Sequence, residues 1–352
     1  MATYLDDEKY MQRCLDLAKM GQGNTGTNPM VGAVIVYNGK IIGEGYHRKF
    51  GDQHAEANAI NSIKDKSLLK KSTLYVNLEP CSHLGKTPPC SDIIIRYNIP
   101  RLVISTIDPN SIVSGKGVEK LKNNGIEVIV GILEKKAVKL NKRFFTYYSK
   151  NRPYIILKWA QTNDSYIDKD RSEKLTGKVN WISDNISRIL VHKWRSEEQS
   201  IMVGTTTALL DNPQLNIRLW NGNPPVRIVL DRTLKLPQNL KLFDGTTKTL
   251  VFTEKEATSR KNIEFINVNY NDQLLEEILE ILFQREIQSI FVEGGKMLVE
   301  SFIQRNLWDE ARVIIGNMDF HSGVHAPKIQ KEYDQQIMLA NDRLLIYCNN
   351  IL

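Results

Sequence analysis

Two short stretches hold side chains whose types and spacing suit metal chemistry. In GDQHAEANAI, residues 51–60, His54 stands two places before Glu56 at the head of a helical pattern. In EPCSHLGKTPPC, residues 79–90, Cys81 and Cys90 follow the apolar run TLYVNL. A catalytic zinc takes three protein ligands and keeps a fourth position open, and one imidazole with two thiolates is a donor set that balances its charge. Glu56 would not bind the metal. Its carboxylate would stand beside the attacking water, take the water's proton and pass it to a departing amine. A lone His-x-Glu is ordinarily solvated surface, and a buried cysteine is ordinarily a small hydrophobe. In this order, with His-x-Glu opening a helix and Pro80-Cys81 following a strand, they read together as a catalytic zinc site of His54, Cys81 and Cys90. A structural zinc would need a fourth side chain, for which His83 and His47 are the nearby choices.

Those residues need a frame. A chain of 352 residues is long for one core and comfortable for two. Its 41% hydrophobic and 25% charged content is that of a globular protein, and without eighteen consecutive apolar residues no membrane span is expected. The N-terminus lacks the basic start and apolar middle of a secretion signal, so the expected location is cytoplasmic. The formal net charge of +7 is spread along the chain, which suits an anionic small molecule as well as RNA. Four cysteines, Cys14, Cys81, Cys90 and Cys348, are too few for a disulfide framework.

Periodicity predicts a helix over 6–20, with Tyr10, Met11, Cys14, Leu15 and Ala18 on its apolar stripe, then a hairpin turning at Asn38-Gly39. A helix near 54–65 follows. Strands near 73–78, 101–106 and 126–132 then alternate with helices near 91–98 and 115–124, an α/β sandwich. KLNKRFFTYYSKNRPY, residues 139–154, reads as a basic, aromatic connector, and the domain boundary falls near 150. Beyond it come strands near 154–160, 200–204, 226–231, 249–253, 289–293 and 311–316, with helices near 184–198, 272–284 and 296–305. This second half has no G-x-G-x-x-G after its first strand. FVEGGKMLVES offers instead a strand, then Glu293-Gly294-Gly295, then a helix whose first N–H groups suit a phosphate. Alone, that pattern is a common structural turn.

His-x-Glu followed by Pro-Cys and a further Cys is the signature of zinc deaminases of cytosine or adenine rings, although eight residues rather than two separate the cysteines here. TNPMVGAVIV, HAEANAI, LEPCSHLGKTPPC and DPNSIVSGKGVEKLKNNGIEV together resemble the family of bifunctional riboflavin-biosynthesis pyrimidine deaminase/reductases, from about residue 8 to the C-terminus. The resemblance implies a cytidine-deaminase-like α/β/α sandwich over 1–150 and a dihydrofolate-reductase-like α/β domain over 151–352. The first would use zinc to remove an amine from a phosphoribosylated diaminopyrimidinone. The second would use NADPH to reduce the ribosyl group to ribityl.

The resemblance also implies site residues. His54, Cys81 and Cys90 would hold zinc, Glu56 would shuttle protons, and Asn28, His47, His83 and Lys86 would contact the deaminase substrate. In the second half Ala160, Trp181, Thr207, Asp211 and Gly295 would line the NADPH site. Lys158, Arg195, Leu215, Arg218 and Glu293 would face the reductase substrate, with Asp211 or Lys158 protonating the ribose oxygen. His192 and Trp194 read as packing, and His321 and His325 as solvated. Thr162-Asn163-Asp164-Ser165 departs from the family's usual Ser-Leu-Asp-Gly, and the stretch after Ile315 is longer than usual. The implied partner is a phosphorylated pyrimidine, handled by a homo-oligomer without nucleic acid or membrane. The alternative is a zinc-dependent RNA adenosine deaminase with a C-terminal nucleic-acid-binding domain.

Overall fold

Asn38 and Gly39 both take positive φ, 47° and 71°, and so close a tight hairpin between β1 (Gly32–Tyr37) and β2 (Lys40–Tyr46). The computed structural model describes residues 4–82, 88–171 and 179–349. Two units divide the chain, Met1–Asn151 and Arg152–Ile351.

In the first unit the hairpin joins β3 (Thr73–Val76), β4 (Arg101–Ile104) and β5 (Glu127–Val130) in the order β2-β1-β3-β4-β5. The β3, β4 and β5 strands run parallel, and β1 is antiparallel to both neighbours. Alternation along each strand serves both faces. Val34, Val36, Tyr75 and Val103 meet Tyr10, Met11, Cys14 and Leu17 of α1 (Tyr4–Lys19). Ala33, Ile35, Leu74, Val76, Leu102 and Ile104 meet α2 (Ala55–Ser62), α3 (Cys90–Arg96) and α4 (Lys116–Asn123). The result is an α/β/α sandwich. Helix α2 lies on β2 almost backbone to backbone, because a Cβ at Gly45 would sit 2.3 Å from the Ala59 nitrogen.

The stretch at 139–154 is not a connector. It is mostly helical, carrying the end of α5 (Glu134–Leu140) and all of α6 (Lys142–Lys150), with Phe144, Thr146 and Tyr147 buried. Aromatic residues at 144, 147 and 148 have helical spacing, and the interleaved lysines and arginine lie on the outer side of that stripe.

The second unit is built on nine strands in the order β11-β10-β9-β8-β12-β6-β13-β16-β15. They are β6 (Tyr154–Thr162), β8 (Ser200–Val203), β9 (Val226–Leu230), β10 (Thr249–Thr253), β11 (Ile263–Asn267), β12 (Ser289–Val292), β13 (Glu310–Gly316), β15 (Gln335–Leu339) and β16 (Asp342–Cys348). Parallel pairing runs from β11 to β13, and β16 and β15 add an antiparallel edge. Helices α7 (Asn185–Glu197), α8 (Thr205–Asp211), α9 (Leu274–Gln284) and α10 (Lys296–Gln304) complete the unit with a small ladder of β7 (Tyr166–Asp168) and β14 (Val324–His325). Residues 154 to 157 alternate between the two cores, Ile155 and Leu157 on one side and Tyr154 and Ile156 on the other. Edge strands β11 and β15 escape a reading by apolar runs because they are half-exposed and partly polar.

The departure at 162–165 forms a turn that holds the long stretch after Ile315. The Asp164 carboxylate accepts from Thr162 Oγ1 at 2.5 Å and from the His321 backbone N–H at 2.7 Å, while the Ser165 carbonyl accepts from the Ala326 N–H at 2.8 Å. His325 is exposed, yet stacks on Tyr166 with ring centroids 4.5 Å apart. Ser165 occupies the left-handed region, at φ 65°, which costs a residue with a Cβ about 1 kcal/mol that glycine avoids. Replacing it by glycine, S165G, should raise the stability of the protein by about 1 kcal/mol in urea unfolding. A variant less stable than the parent would mean that the serine side chain does more than tolerate the turn.

Candidate active sites

Parallel sheets gather ligands where their strands end. In the first unit those ends carry Leu78 and Glu79 beyond β3 and Asp108 and Asn110 beyond β4, and α2 delivers Glu56 beside them. These residues line a cavity of about 330 Å³ with Asn28, His47, His54, Cys81, Phe50, Phe144 and Tyr148.

The donor atoms of His54, Cys81 and Cys90 lie within 4.8 Å of one another. His54 Nδ1 stands 3.6 Å from Cys81 Sγ and 3.3 Å from Cys90 Sγ. Zinc bonds of about 2.1 Å to nitrogen and 2.3 Å to sulfur in a tetrahedron require an N···S edge of about 3.6 Å, so the triad fits the ion. The Cys90 backbone N–H, at the head of α3, donates to Cys81 Sγ at 3.3 Å. Cys81 is held well below the ordinary thiol range by the Cys90 hydrogen bond and by His54, whereas Cys90 is pushed up by Cys81 and by burial. His54 is raised in turn, chiefly by Cys81.

Glu56 is only 4% exposed, and burial raises its pKa while His54 opposes that rise. A carboxyl whose pKa moves toward neutrality is suited to both accept and release a proton. His47 lines the cavity with both ring nitrogens engaged: Nδ1 faces the Gln53 carbonyl at 3.2 Å and Nε2 faces Asn28 Nδ2 at 3.0 Å. Those partners assign the proton to Nδ1, with Nε2 accepting from the Asn28 amide. His83 and Lys86 lie outside the described residues.

Two carboxylates here escaped the sequence reading. Glu79 is buried and accepts from the N–H groups of Asp108, Gly115 and Val118 at 3.2, 2.9 and 3.1 Å, pinning the loop after β4 to the head of α4. Asp108 lines the cavity, and burial pushes its pKa up to about 6. Both sit in motifs, LEPC and DPN, where a charged residue stands a few residues beyond an apolar strand, and that was the available signal.

In the second unit Glu293, directly after β12, meets two cations. Arg195 of α7 grips it with Nε and a terminal nitrogen at 2.6 and 2.8 Å, and Lys158 Nζ of β6 stands 3.7 Å away. Burial alone would raise the Glu293 carboxyl, but Arg195 and Lys158 hold it at about 2. Lys158 is lowered by burial, against the pull of Glu293. Asp211 belongs to a separate network, paired with Arg171 at 2.8 Å. The Gly295 N–H donates to Thr207 Oγ1 at 2.8 Å, and a Cβ on Gly295 would lie 2.9 Å from that oxygen, so glycine is needed for the close approach of α8 to the head of α10. Ala160 lies on β6 opposite Ile314 of β13. Trp181 is half-exposed under the Arg188 guanidinium.

The Leu215 side chain is 2% exposed and packed in the core, with its backbone at φ 50°. Trp194 packs against Phe291, and His192 is buried with Nδ1 lacking a hydrogen-bond partner.

A His-Cys-Cys donor triad with a buried glutamate in an α/β/α sandwich defines a zinc-type deaminase unit, here followed by a unit with a largely parallel sheet. Residues 5–106 match the cytidine and deoxycytidylate deaminase zinc-binding region, and residues 153–318 match the RibD C-terminal domain. Riboflavin biosynthesis protein RibD of Aquifex aeolicus (strain VF5) is 43% identical, covering 93% of this chain and 88% of its own. The Escherichia coli (strain K12) RibD is 34% identical over 88% of each chain. A crystal structure of a diaminohydroxyphosphoribosylaminopyrimidine deaminase/5-amino-6-(5-phosphoribosylamino)uracil reductase from Thermotoga maritima, 37% identical, superposes with a TM-score of 0.86 over 97% of this chain and 98% of that one. Acinetobacter baumannii RibD, 31% identical, gives 0.87 over 98% and 99%. The chain belongs to the RibD family of bifunctional deaminase/reductases of riboflavin biosynthesis.

Two outcomes follow from this geometry. Elemental analysis should find one zinc per chain, and C90S should lose most of it; undiminished zinc in C90S would remove Cys90 from the donor set. Glu293 is depressed from the ordinary 4.5 to about 2, so the stability it contributes is present above about pH 4.5 and lost as pH falls through about 2. E293Q should therefore cost about 3 kcal/mol in urea unfolding at neutral pH, with the gap from the parent narrowing at pH 3. A gap independent of pH would show that the charge is not what stabilises this cluster.

Proposed function

We propose that the chain converts 2,5-diamino-6-(5-phosphoribosylamino)pyrimidin-4-one to its deaminated, reduced product in two steps, with residues 1–150 acting as deaminase and 151–352 as NADPH-dependent reductase. The observation that carries this reading is the convergence of His54, Cys81 and Cys90 beside a buried Glu56. Zinc, held by those three donors, would supply a Lewis acid that makes water a nucleophile near neutral pH. Glu56 takes the proton of the attacking water on its carboxylate and returns it to the departing ammonia. Asn28, with its amide N–H committed to His47, keeps its carbonyl oxygen for a ring N–H of the substrate. His47 acts behind Asn28 as its support. His83 and Lys86 belong to the same proposal as contacts to the substrate's phosphate.

In the reductase, NADPH would supply the hydride. The head of α10, behind Gly295, offers backbone N–H groups to a cofactor phosphate, and Ala160, Trp181, Thr207 and Asp211 complete that side. Lys158 is the better candidate to protonate the ribose oxygen as the ring opens. It shares a buried cluster with Arg195 and Glu293, and burial makes its ammonium readier to give up a proton. Asp211, paired with Arg171, is assigned to the cofactor side. Arg195, Arg218, Glu293 and the Leu215 backbone face the substrate. Cytoplasmic location and a homo-oligomeric state belong to the same proposal. The RNA adenosine deaminase reading is set aside, because residues 153–318 match the RibD C-terminal domain.

E56Q separates the two activities. It should retain zinc, lose ammonia release by about a hundredfold or more, and still oxidise NADPH when the deaminated compound is supplied. Ammonia release at the parental rate would sink the role given to Glu56.

A further inference from the structure

One large ring seats the last turn of helix α7 on the sheet. Trp194, 7% exposed, meets Phe291 of β12 edge to face, with ring centroids 6.2 Å apart. The Arg312 guanidinium of β13 stands over the same ring at 4.7 Å. Strands β12 and β13 flank β6, so this indole bridges the two neighbours of the strand that carries Lys158. Arg312 is the in-register partner of Lys158, and both side chains therefore leave the sheet on the same face. The residue after Trp194 is Arg195, and two residues beyond Phe291 stands Glu293, which Arg195 grips at 2.6 and 2.8 Å.

Arg312 is kept in this place at a cost. It is 6% exposed, its Nε donates to Glu310 Oε1 at 2.6 Å, and among the described residues its buried NH1 nitrogen has no hydrogen-bond partner. Glu310, two residues back along β13 and so on the same face, accepts from the Tyr154 hydroxyl through its other oxygen at 3.0 Å. A buried donor left unpaired is destabilising, and an aliphatic side chain would fill the space without that penalty. What an aliphatic chain would not supply is a flat cation, fixed at one edge by a carboxylate and laid on an indole. That attraction is strongest away from water. With its ring held by two different strands, α7 neither slides nor turns on the sheet without breaking both contacts.

We infer that Arg312 is a positioning residue of the reductase: through its stack on Trp194 it fixes the seat of α7, so that Arg195 meets Glu293 beside Lys158. The inference rests on the reading of Arg195 and Glu293 as substrate-facing groups of an NADPH-dependent reductase. A displacement of α7 by about 1 Å would part the Arg195 fork from Glu293 and loosen the hold on the substrate. Thr207 and Gly295, on α8 and at the head of α10, would keep the cofactor side in place.

The test uses the full-length protein, with NADPH oxidation followed on the deaminated compound and ammonia release as the measure of an intact first unit. W194L and R312M should each raise KM for that compound about fivefold or more and leave KM for NADPH within about twofold, with ammonia release unchanged. The double variant should be no worse than the weaker single one, because either substitution alone already breaks the shared contact. R312K, which keeps a cation over the ring without the fork, should fall between R312M and the parent. Lost stability alone would reduce the active fraction, and with it kcat, at unchanged KM. That pattern would overturn the inference, as would KM effects that multiply in the double variant, or an R312K protein no better than R312M. Should W194L or R312M not fold, W194F and R312K, alone and combined, decide by the same criteria. R195Q is the control: an unchanged KM there, or a parent that oxidises no NADPH, would overturn the reading beneath the inference and the inference with it.

Discussion

Three proton-binding side chains with donor atoms within 4.8 Å of one another must share charge among themselves, and the first unit is arranged around that constraint. Cys81 is driven toward thiolate while Cys90 is driven toward thiol, because one imidazolium cannot balance two buried anions. A bound dication would let both sulfurs ionise and would leave His54 neutral. The surrounding fold keeps the three donors from drifting apart. The close seat of α2 on Gly45 positions His54 and Glu56, the first N–H of α3 points at Cys81, and Glu79 ties the next loop to α4.

The second unit meets the same requirement with the signs reversed. There one carboxylate, Glu293, is surrounded by Lys158 and Arg195, and more cations stand nearby than it can match. Arg171 by comparison bridges two carboxylates, Asp168 at 2.6 Å and Asp211 at 2.8 Å.

How far this was legible differs from residue to residue. His54, Glu56, Cys81 and Cys90 could be read because each lies at the junction of a strand or helix with a loop, where the local pattern announces both the element and the exposed chemistry. Helices α5 and α8, the edge strands β11 and β15, and the β7–β14 ladder were not read, since they are short, half-polar, or paired with distant segments. Glu79 and Asp108 were passed over for a different reason. A single carboxylate after a strand is common, and its importance shows only when three backbone N–H groups or a cavity wall converge on it.

By itself the sequence determined the two-unit α/β organisation, the His-Cys-Cys triad and the family, because periodicity and motif spacing are local properties carried by neighbouring residues. Only the tertiary structure decided that His47 supports Asn28, that Leu215 turns its side chain into the core, and that Arg195 and Arg218 both donate to Asn216. Those relations join residues brought together by strand order and helix packing, and electrostatic energy depends on their separation in space rather than along the chain.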